Sequence, residues 1–313
     1  GRSGGSCHLP RTPWGAPGVP QARTRVFSAG AGGQGALPRA SPDLVGPREN
    51  GRMGTALVTG ASAGLGREFA WQLAQAHHDL ILVARNEERL EALAAQLRAV
   101  AGVSVEVLVA DLGVREDVAR VAQRLGDTDR PVGLLVNNAG YALGEAFTRS
   151  DLAAEEAALD VMVRAVMVLT RAATDAMIPR GRGAILTVGS VAALMASGTY
   201  SAHKAWVNAF TQSLARTLRG SGVTATVVNP GLTRTEFHER AGWDNEKYPE
   251  VAWLSAEHVV EAALAALRRG AVGVTPALRK KYRAIDAMLG GDAAEVSAAL
   301  VSEFNLPGLA TFG

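Results

Sequence analysis

From Met53 onward the chain alternates short apolar runs with amphipathic stretches, and this alternation leaves few folds open to it. The runs Thr55–Thr59, Leu80–Ala84, Val103–Ala110, Val132–Val136, Ala184–Val188, Ala225–Val228 and Val272–Thr275 are strand-length and nearly continuously apolar. Between them apolar residues recur at helical spacing. Leu65, Phe69, Leu73 and Ala76 form one stripe, Leu90, Leu93, Leu97 and Val100 a second, and Val207, Phe210, Leu214 and Leu218 a third. Strands with no polar face, each followed by a helix, predict a parallel sheet covered on both sides. About 260 residues in one such alternation, with no internal repeat, make a single doubly wound α/β domain of about seven strands.

Residues 1–52 break the pattern. They hold seven of the 13 prolines and eleven of the 35 glycines, with no hydrophobic period, so the expectation is a disordered leader ahead of one domain spanning 53–313. Met53 opens the first strand at once, which marks it as a natural start with the leader as an upstream addition; a transit peptide is the other reading, and the Pro and Gly content argues against it. Seven arginines against Asp43 and Glu49 give this segment a net charge of +5, while the rest of the chain carries −3. The basic charge is thus not a stripe with interleaved aromatics, and nucleic acid is not an expected partner. Cys7, in the leader, is the single cysteine, so the body has no disulfide, thiolate metal site or thiol nucleophile. No His/Asp/Glu spacing suggests a metal either. The longest apolar helix candidate, "ALDVMVRAVMVLT", is interrupted by Asp160 and Arg164, so no membrane span is expected. A cytoplasmic location fits this balance.

The first strand runs into "TGASAGLG", Thr59 to Gly66, and then into a helix. Gly60, Gly64 and Gly66 let the backbone turn tightly and approach a pyrophosphate at the helix N-terminus. A glycine triplet also marks ordinary turns; its place at the first strand-to-helix junction of an α/β chain is what points to a dinucleotide. About twenty residues on, where an acid would bind a ribose diol, the chain reads "VARNEERL". Ala84 leaves room and Arg85 offers a guanidinium to a 2′-phosphate, which favours NADP(H) over NAD(H). Read alone, Arg85 is equally a solvent-facing strand end.

Tyr200 and Lys204 stand one helical turn apart and so share a face. By itself that pair is also what an exposed lysine passing a half-buried tyrosine looks like. The surrounding motifs give it another meaning. "TGASAGLG", Asp111-Leu112 after the third strand, "NNAG" (Asn137–Gly140) after the fourth, Ser190 after the fifth, Tyr200-x-x-x-Lys204, and "PGLTRT" (Pro230–Thr235) after the sixth occur in order, and from Met53 to about Thr275 the chain resembles the short-chain dehydrogenase/reductase family. The resemblance implies a Rossmann fold and an NADP(H)-dependent oxidoreductase. In it Tyr200 is the general acid or base at the reacting oxygen, Lys204 lowers the phenol's pKa and holds the nicotinamide ribose, and Ser190 orients the substrate oxygen. It places Gly60, Ser62, Gly64, Leu65 and Gly66 at the pyrophosphate, Asp111 and Leu112 at the adenine, and Asn138, Ala139 and Gly140 beside the adenosine ribose. Pro230, Gly231 and Thr233 fall among the cofactor-binding residues, and Thr235 reaches the carboxamide. For Asp111 and Thr235 a strand-end acid and a helix N-cap remain open as readings.

The chain departs from the family at two places. Only nine residues, "VAALMASGT", separate Ser190 from Tyr200, fewer than the family's usual ten or more. Ser190 remains the hydroxyl that fits, since Ser197 is too near Tyr200 and Thr187 belongs inside the strand. The helix after "NNAG" carries Met162 in "DVMVRA", where the family usually has an asparagine that marks a helix distortion whose main-chain carbonyl holds a relay water. Met162 therefore weakens the relay without abolishing it, or simply fills the core. It also gives room to a second reading, a non-catalytic NADPH-binding sensor. The lid expected between Phe237 and Leu254 crowds Phe237, Trp243, Tyr248 and Trp253 opposite Leu194 and Met195, which makes either an apolar substrate pocket or ordinary core. In the family the helices here spanning about Asp151–Met177 and Ser201–Arg219 pair across a two-fold axis. Ala153, Ala157, Val161, Ala165, Val168 and Ala172 on the first of them predict a homo-dimer or homo-tetramer.

Overall fold

The computed structural model describes residues 53–195, 198–242, 245 and 253–276. The leader, Trp243, Tyr248, Ser197 and everything beyond 276 lie outside the described residues, and with them the expectations placed there. All seven anticipated strands are present: β1 Met53–Thr59, β2 His78–Ala84, β3 Val105–Val109, β4 Val132–Asn137, β5 Gly183–Val188, β6 Val223–Val228 and β7 Gly273–Val274. They form one parallel sheet in the order β3-β2-β1-β4-β5-β6-β7. The order reverses between β1 and β4, and a ligand crevice opens at such a point, beyond the strands' carboxyl ends.

Side chains alternate along each strand to feed two separate cores. Ala56 and Val58, Leu80 and Leu82, and Leu134 and Val136 point to the face covered by α1 (Gly64–Gln75), α2 (Glu87–Ala101) and α8 (Ala256–Arg268). Leu57, Ile81 and Leu135 point to the other, covered by α3 (Arg115–Leu125), α5 (Ala165–Met177) and α6 (Gly198–Thr217). Helices on both faces are what strands apolar throughout require. The stripes on these helices bury in large part as their period indicates, with Phe210 and Leu214 half-buried in the middle of the third and exceptions at the ends of the first two. Val100, in the last turn of α2, is exposed, and Ala76 is the exposed cap after α1.

Between α4 (Leu152–Leu159) and α5 the helix passes through one π turn, Asp160–Arg164. A π turn adds a residue and rotates the next helical segment by about 100°. The stripe read as Ala153, Ala157, Val161 and Ala165 assumed an unbroken α-helix and is corrected here. Ala153 and Ala157 face out, but Ala165 is buried in the core. The exposed large apolar side chains on this flank are Leu152, Leu159 and Met167.

The two halves of the sheet are joined where the crevice opens. The buried Thr59 hydroxyl, at the end of β1, donates to the Val136 carbonyl on β4 at 3.2 Å. It accepts from the Asn138 and Ala139 amides at 2.9 and 3.1 Å. The Asn138 side chain returns a bond to the Thr59 carbonyl at 2.8 Å. Thr59→Val keeps the shape and strips both amides of their acceptor. At about 1–3 kcal/mol per stranded buried group, the variant should lose roughly 2–4 kcal/mol, read as a lower urea midpoint at unchanged slope. A loss below about 0.5 kcal/mol would show that water replaces the hydroxyl and that the joint is not structural.

Candidate active site

The glycine turn is built around close approach. Gly60 and Gly64 have φ of +66° and +51°, the left-handed region that costs a side-chain-bearing residue strain. A Cβ on Gly66 would stand 2.1 Å from the Gly60 carbonyl oxygen, and one on Gly60 would stand 2.9 Å from the Asn138 amide nitrogen. Ala63, the N-cap of α1, offers no side-chain cap, so amides of the first turn stay open at the mouth of the turn. Ser62 and Leu65 sit half-buried within it, Leu65 against the core. The cradle is thus backbone, sized for a group with no room for a side chain, and it fits a pyrophosphate.

On the β2 and β3 side of the crevice, Arg85 lies one residue beyond β2 with its side chain 75% exposed, and its Nη1 is 3.8 Å from Asp111 Oδ2. Asp111 accepts from the Gly113 amide through Oδ1 at 2.9 Å, while its own amide donates to Asp117. Its carboxylate braces the turn after β3 and steadies Arg85. Leu112 is buried, so only its backbone faces the crevice. Asn138 spends its side chain on the glycine turn. Gly140 lies against both Met162 and Lys204: a Cβ there would meet the Met162 Cγ at 3.3 Å and the Lys204 Nζ at 3.5 Å. The π turn is therefore kept although methionine occupies it, and Met162 is fully buried beside the lysine.

Tyr200 and Lys204 do share one face of α6. The Lys204 Nζ lies 5.7 Å from the Tyr200 ring centroid and donates to the Val188 carbonyl at the end of β5 at 2.8 Å. Ser190 hydrogen-bonds the Tyr200 phenol, accepts from the Ala192 amide at 3.1 Å, and so caps the 3-10 turn Val191–Leu194. The expected lowering of the phenol's pKa is not what these contacts produce. Burial pushes Tyr200 up to about 12, opposed only by the Ser190 bond, and pushes Lys204 down to about 8. Both groups are desolvated, and the ammonium spends its bond on a carbonyl oxygen, so desolvation outweighs their mutual attraction. Near neutral pH the phenol is held protonated and the amine remains largely charged.

Two residues that no motif marked hold this arrangement. Asn208 and Asn229 exchange side-chain amide bonds at 2.7 and 2.9 Å, Asn208 also donates to the Lys204 carbonyl, and the Asn229 Oδ1 accepts from the Ser190 amide. They fix Ser190 relative to Lys204. Their signal in the sequence was faint: an asparagine just after a strand and another four residues after Lys204.

Pro230 is buried, and its carbonyl accepts from the Val191 amide at 3.0 Å. The buried Thr233 hydroxyl donates to the Gly231 carbonyl, closing the turn. Thr235 is the N-cap of α7 (Glu236–Arg240), accepting from the Phe237 amide, and its side chain faces Gly64. The Phe237 ring stands 5.5 Å from the Tyr200 ring and forms a wall of the site. Trp253 packs a layer behind, on His238 and Arg234. Leu194 is exposed at the rim and Met195 half-buried. Among the described residues no cluster of His, Cys, Asp or Glu could hold a metal, and no helix is long and apolar enough to cross a membrane.

Residues 54–246 match the model of the family described as short chain dehydrogenase. Sulfoacetaldehyde reductase 2 of Chromohalobacter salexigens is 38% identical over 215 residues, which is 66% of this chain and 84% of the relative. The solved structure of a short-chain dehydrogenase from Sphingobium yanoikuyae in complex with NADPH is 37% identical with a TM-score of 0.69, over 75% of this chain and 93% of the other. The bulky-bulky ketone specific alcohol dehydrogenase from Comamonas testosteroni is 29% identical with a TM-score of 0.66, over 80% and 94%.

Proposed function

This chain belongs to the short-chain dehydrogenase family of oxidoreductases, and on that premise we propose that it moves a hydride between NADP(H) and the carbonyl or alcohol carbon of an apolar small molecule. The observation that carries the reading is the closed group at the end of β5. Ser190 bonds the phenol of Tyr200, and the ammonium of Lys204 lies buried beside the ring, next to a backbone cradle made of three glycines. NADPH, when bound, supplies the hydride. Gly60, Ser62, Gly64, Leu65 and Gly66 would hold its pyrophosphate, and Asp111, Leu112 and Asn138 to Gly140 its adenosine. Arg85 would hold its 2′-phosphate, and Pro230, Gly231, Thr233 and Thr235 its carboxamide end. Ser190 orients the substrate oxygen and stabilises charge building on it. Tyr200, kept protonated by burial, donates its proton to that oxygen. Lys204 then stabilises the phenolate left behind. The Phe237 wall favours an apolar substituent, as does the neighbour named for bulky ketones.

A panel of ketones and aldehydes with NADPH tests the reading. At least one apolar carbonyl should be consumed, and Tyr200→Phe should cut its turnover a hundredfold or more while leaving NADPH affinity within about threefold, because general acid catalysis contributes roughly 10²–10⁴. NADPH binding with no turnover of any carbonyl would favour the sensor instead.

Arg85→Ala tests the cofactor choice. Charge-assisted bonds to a phosphate contribute on the order of 1.5–3 kcal/mol, so NADPH affinity should fall roughly ten- to a hundredfold with little change for NADH. Adding Asp at Ala84 should move preference further toward NADH. Equal losses for both cofactors would assign Arg85 to the fold.

The exposed Leu152, Leu159 and Met167, with Ala153 and Ala157 between them, are more apolar surface than a lone α/β face leaves uncovered. We assign this flank to a second copy of the chain in a homo-dimer or homo-tetramer. Light scattering at micromolar concentration should give a multiple of the chain mass, and a single-chain mass would refute the assignment.

A further inference from the structure

Beside the catalytic group lies an acid that the reaction does not use. Glu155, on α4, is 6% exposed and pairs with no cation among the described residues. The Ser150 hydroxyl donates to its Oε1 and the Thr199 hydroxyl to its Oε2, each at 2.6 Å, the short length of bonds to a charged acceptor. Those two bonds hold its carboxyl below the usual carboxylate range, so it is an anion at neutral pH.

The place of the second bond matters. Thr199 immediately precedes Tyr200 in the first turn of α6. The chain enters that turn through Gly198 at φ +71°, around which a Cβ would meet nothing within 4 Å. The loop from Ser190 to this turn is short. Further along, α6 is anchored by Lys204 on the Val188 carbonyl and by Asn208 on Asn229. The first turn, with the phenol on it, lies upstream of both anchors. One turn after Thr199, buried His203 stands within reach of the Glu155 charge and is kept neutral, mainly by burial. Glu155 thus covers the face of α6 that runs from Thr199 to His203.

We propose that Glu155 is a positioning residue for the reaction, clamping the first turn of α6 to α4 through Thr199 and so holding the Tyr200 phenol against Ser190. The proposal rests on Tyr200 being the proton donor. The same helix runs on into the π turn and Met162, which lies against Gly140 as Lys204 does.

Thr199→Val and Thr199→Ser, made in the full chain, separate the clamp from a simple structural tie. The valine is isosteric and removes only the hydroxyl, and the serine restores it. In the valine variant hydrogen exchange should quicken at least tenfold in residues 199–203 and stay unchanged in 207–217. The kcat for a carbonyl from the panel should drop about tenfold, with KM and NADPH affinity within twofold. Serine should bring exchange and kcat back to within twofold of the parent. Unchanged exchange overturns the clamp; so does faster exchange at unaltered kcat, and so does failure of serine to restore both. If the parent turns over no carbonyl, the reductase reading falls, and the exchange result alone decides whether Glu155 holds the turn.

Discussion

The structure hangs on the seam between β1 and β4. A parallel sheet wound in both directions must split its loops apart somewhere, and backbone groups freed at the split need partners. Here one hydroxyl serves three of them: Thr59 donates to Val136 and accepts from Asn138 and Ala139. Because the Asn138 side chain then turns back onto the Thr59 carbonyl, the loop after β4 becomes the floor under the glycine turn after β1. The cradle and the sheet are therefore one construction. The glycines can come close because the floor is fixed, and the floor is fixed by the Thr59 hydroxyl and the Asn138 side chain together.

The same economy governs the reacting end. Lys204 is 4% exposed, and a buried ammonium is costly unless something polar receives it. The Val188 carbonyl, left free where β5 ends, is that receiver. This anchors α6 to the carboxyl end of β5, an inner strand of the sheet. An exposed Tyr–Lys pair would be a weak surface contact; desolvated, each group shifts away from its ordinary ionisation, and the phenol keeps its proton near neutral pH. The Asn208–Asn229 pair completes the geometry by linking Ser190 to the same helix from behind.

Much of this was legible in the sequence, and the reasons differ by level. The seven strands were readable because strands buried on both faces must be apolar throughout, and only β3 and β7 were overdrawn: Val103 and Ser104 lie before the β3 ladder, and β7 pairs through two residues alone. The placement of Gly60, Gly64 and Gly66 in one turn, and of Tyr200 and Lys204 on one face, was readable because spacing fixes which residues share a turn or a face, whereas Ser190 came through the family resemblance alone. Thr235 shows where spacing stops: as an N-cap it satisfies the bland reading, and it still faces Gly64. Asn208, Asn229 and Glu155 were not readable, because each acts through a partner distant in the chain. The direction of the Tyr200 shift was misjudged for a related reason. Charge proximity can be seen in a sequence, whereas the extent of desolvation belongs to the packed fold.

Met162 is where residue type and backbone geometry part company. Where the family's asparagine marks a helix distortion, this chain has a side chain that makes no such bond, and yet the π turn is present. The distortion must then be held by something else, and its ends are: Arg164 bonds Asp160 across the turn and reaches the Gly113 carbonyl at 3.3 Å. Gly113 belongs to the loop braced by Asp111, so the turn is fastened to the loop after β3. Meanwhile the Met162 side chain fills the space against Gly140, where any Cβ would crowd both it and Lys204. A wider turn in a helix costs backbone hydrogen bonding and survives only where the surroundings demand it. Here those surroundings are an ion pair, a loop carbonyl and a glycine. The backbone opening beside Lys204 is thus specified by tertiary packing, and one residue type at its centre could change without closing it.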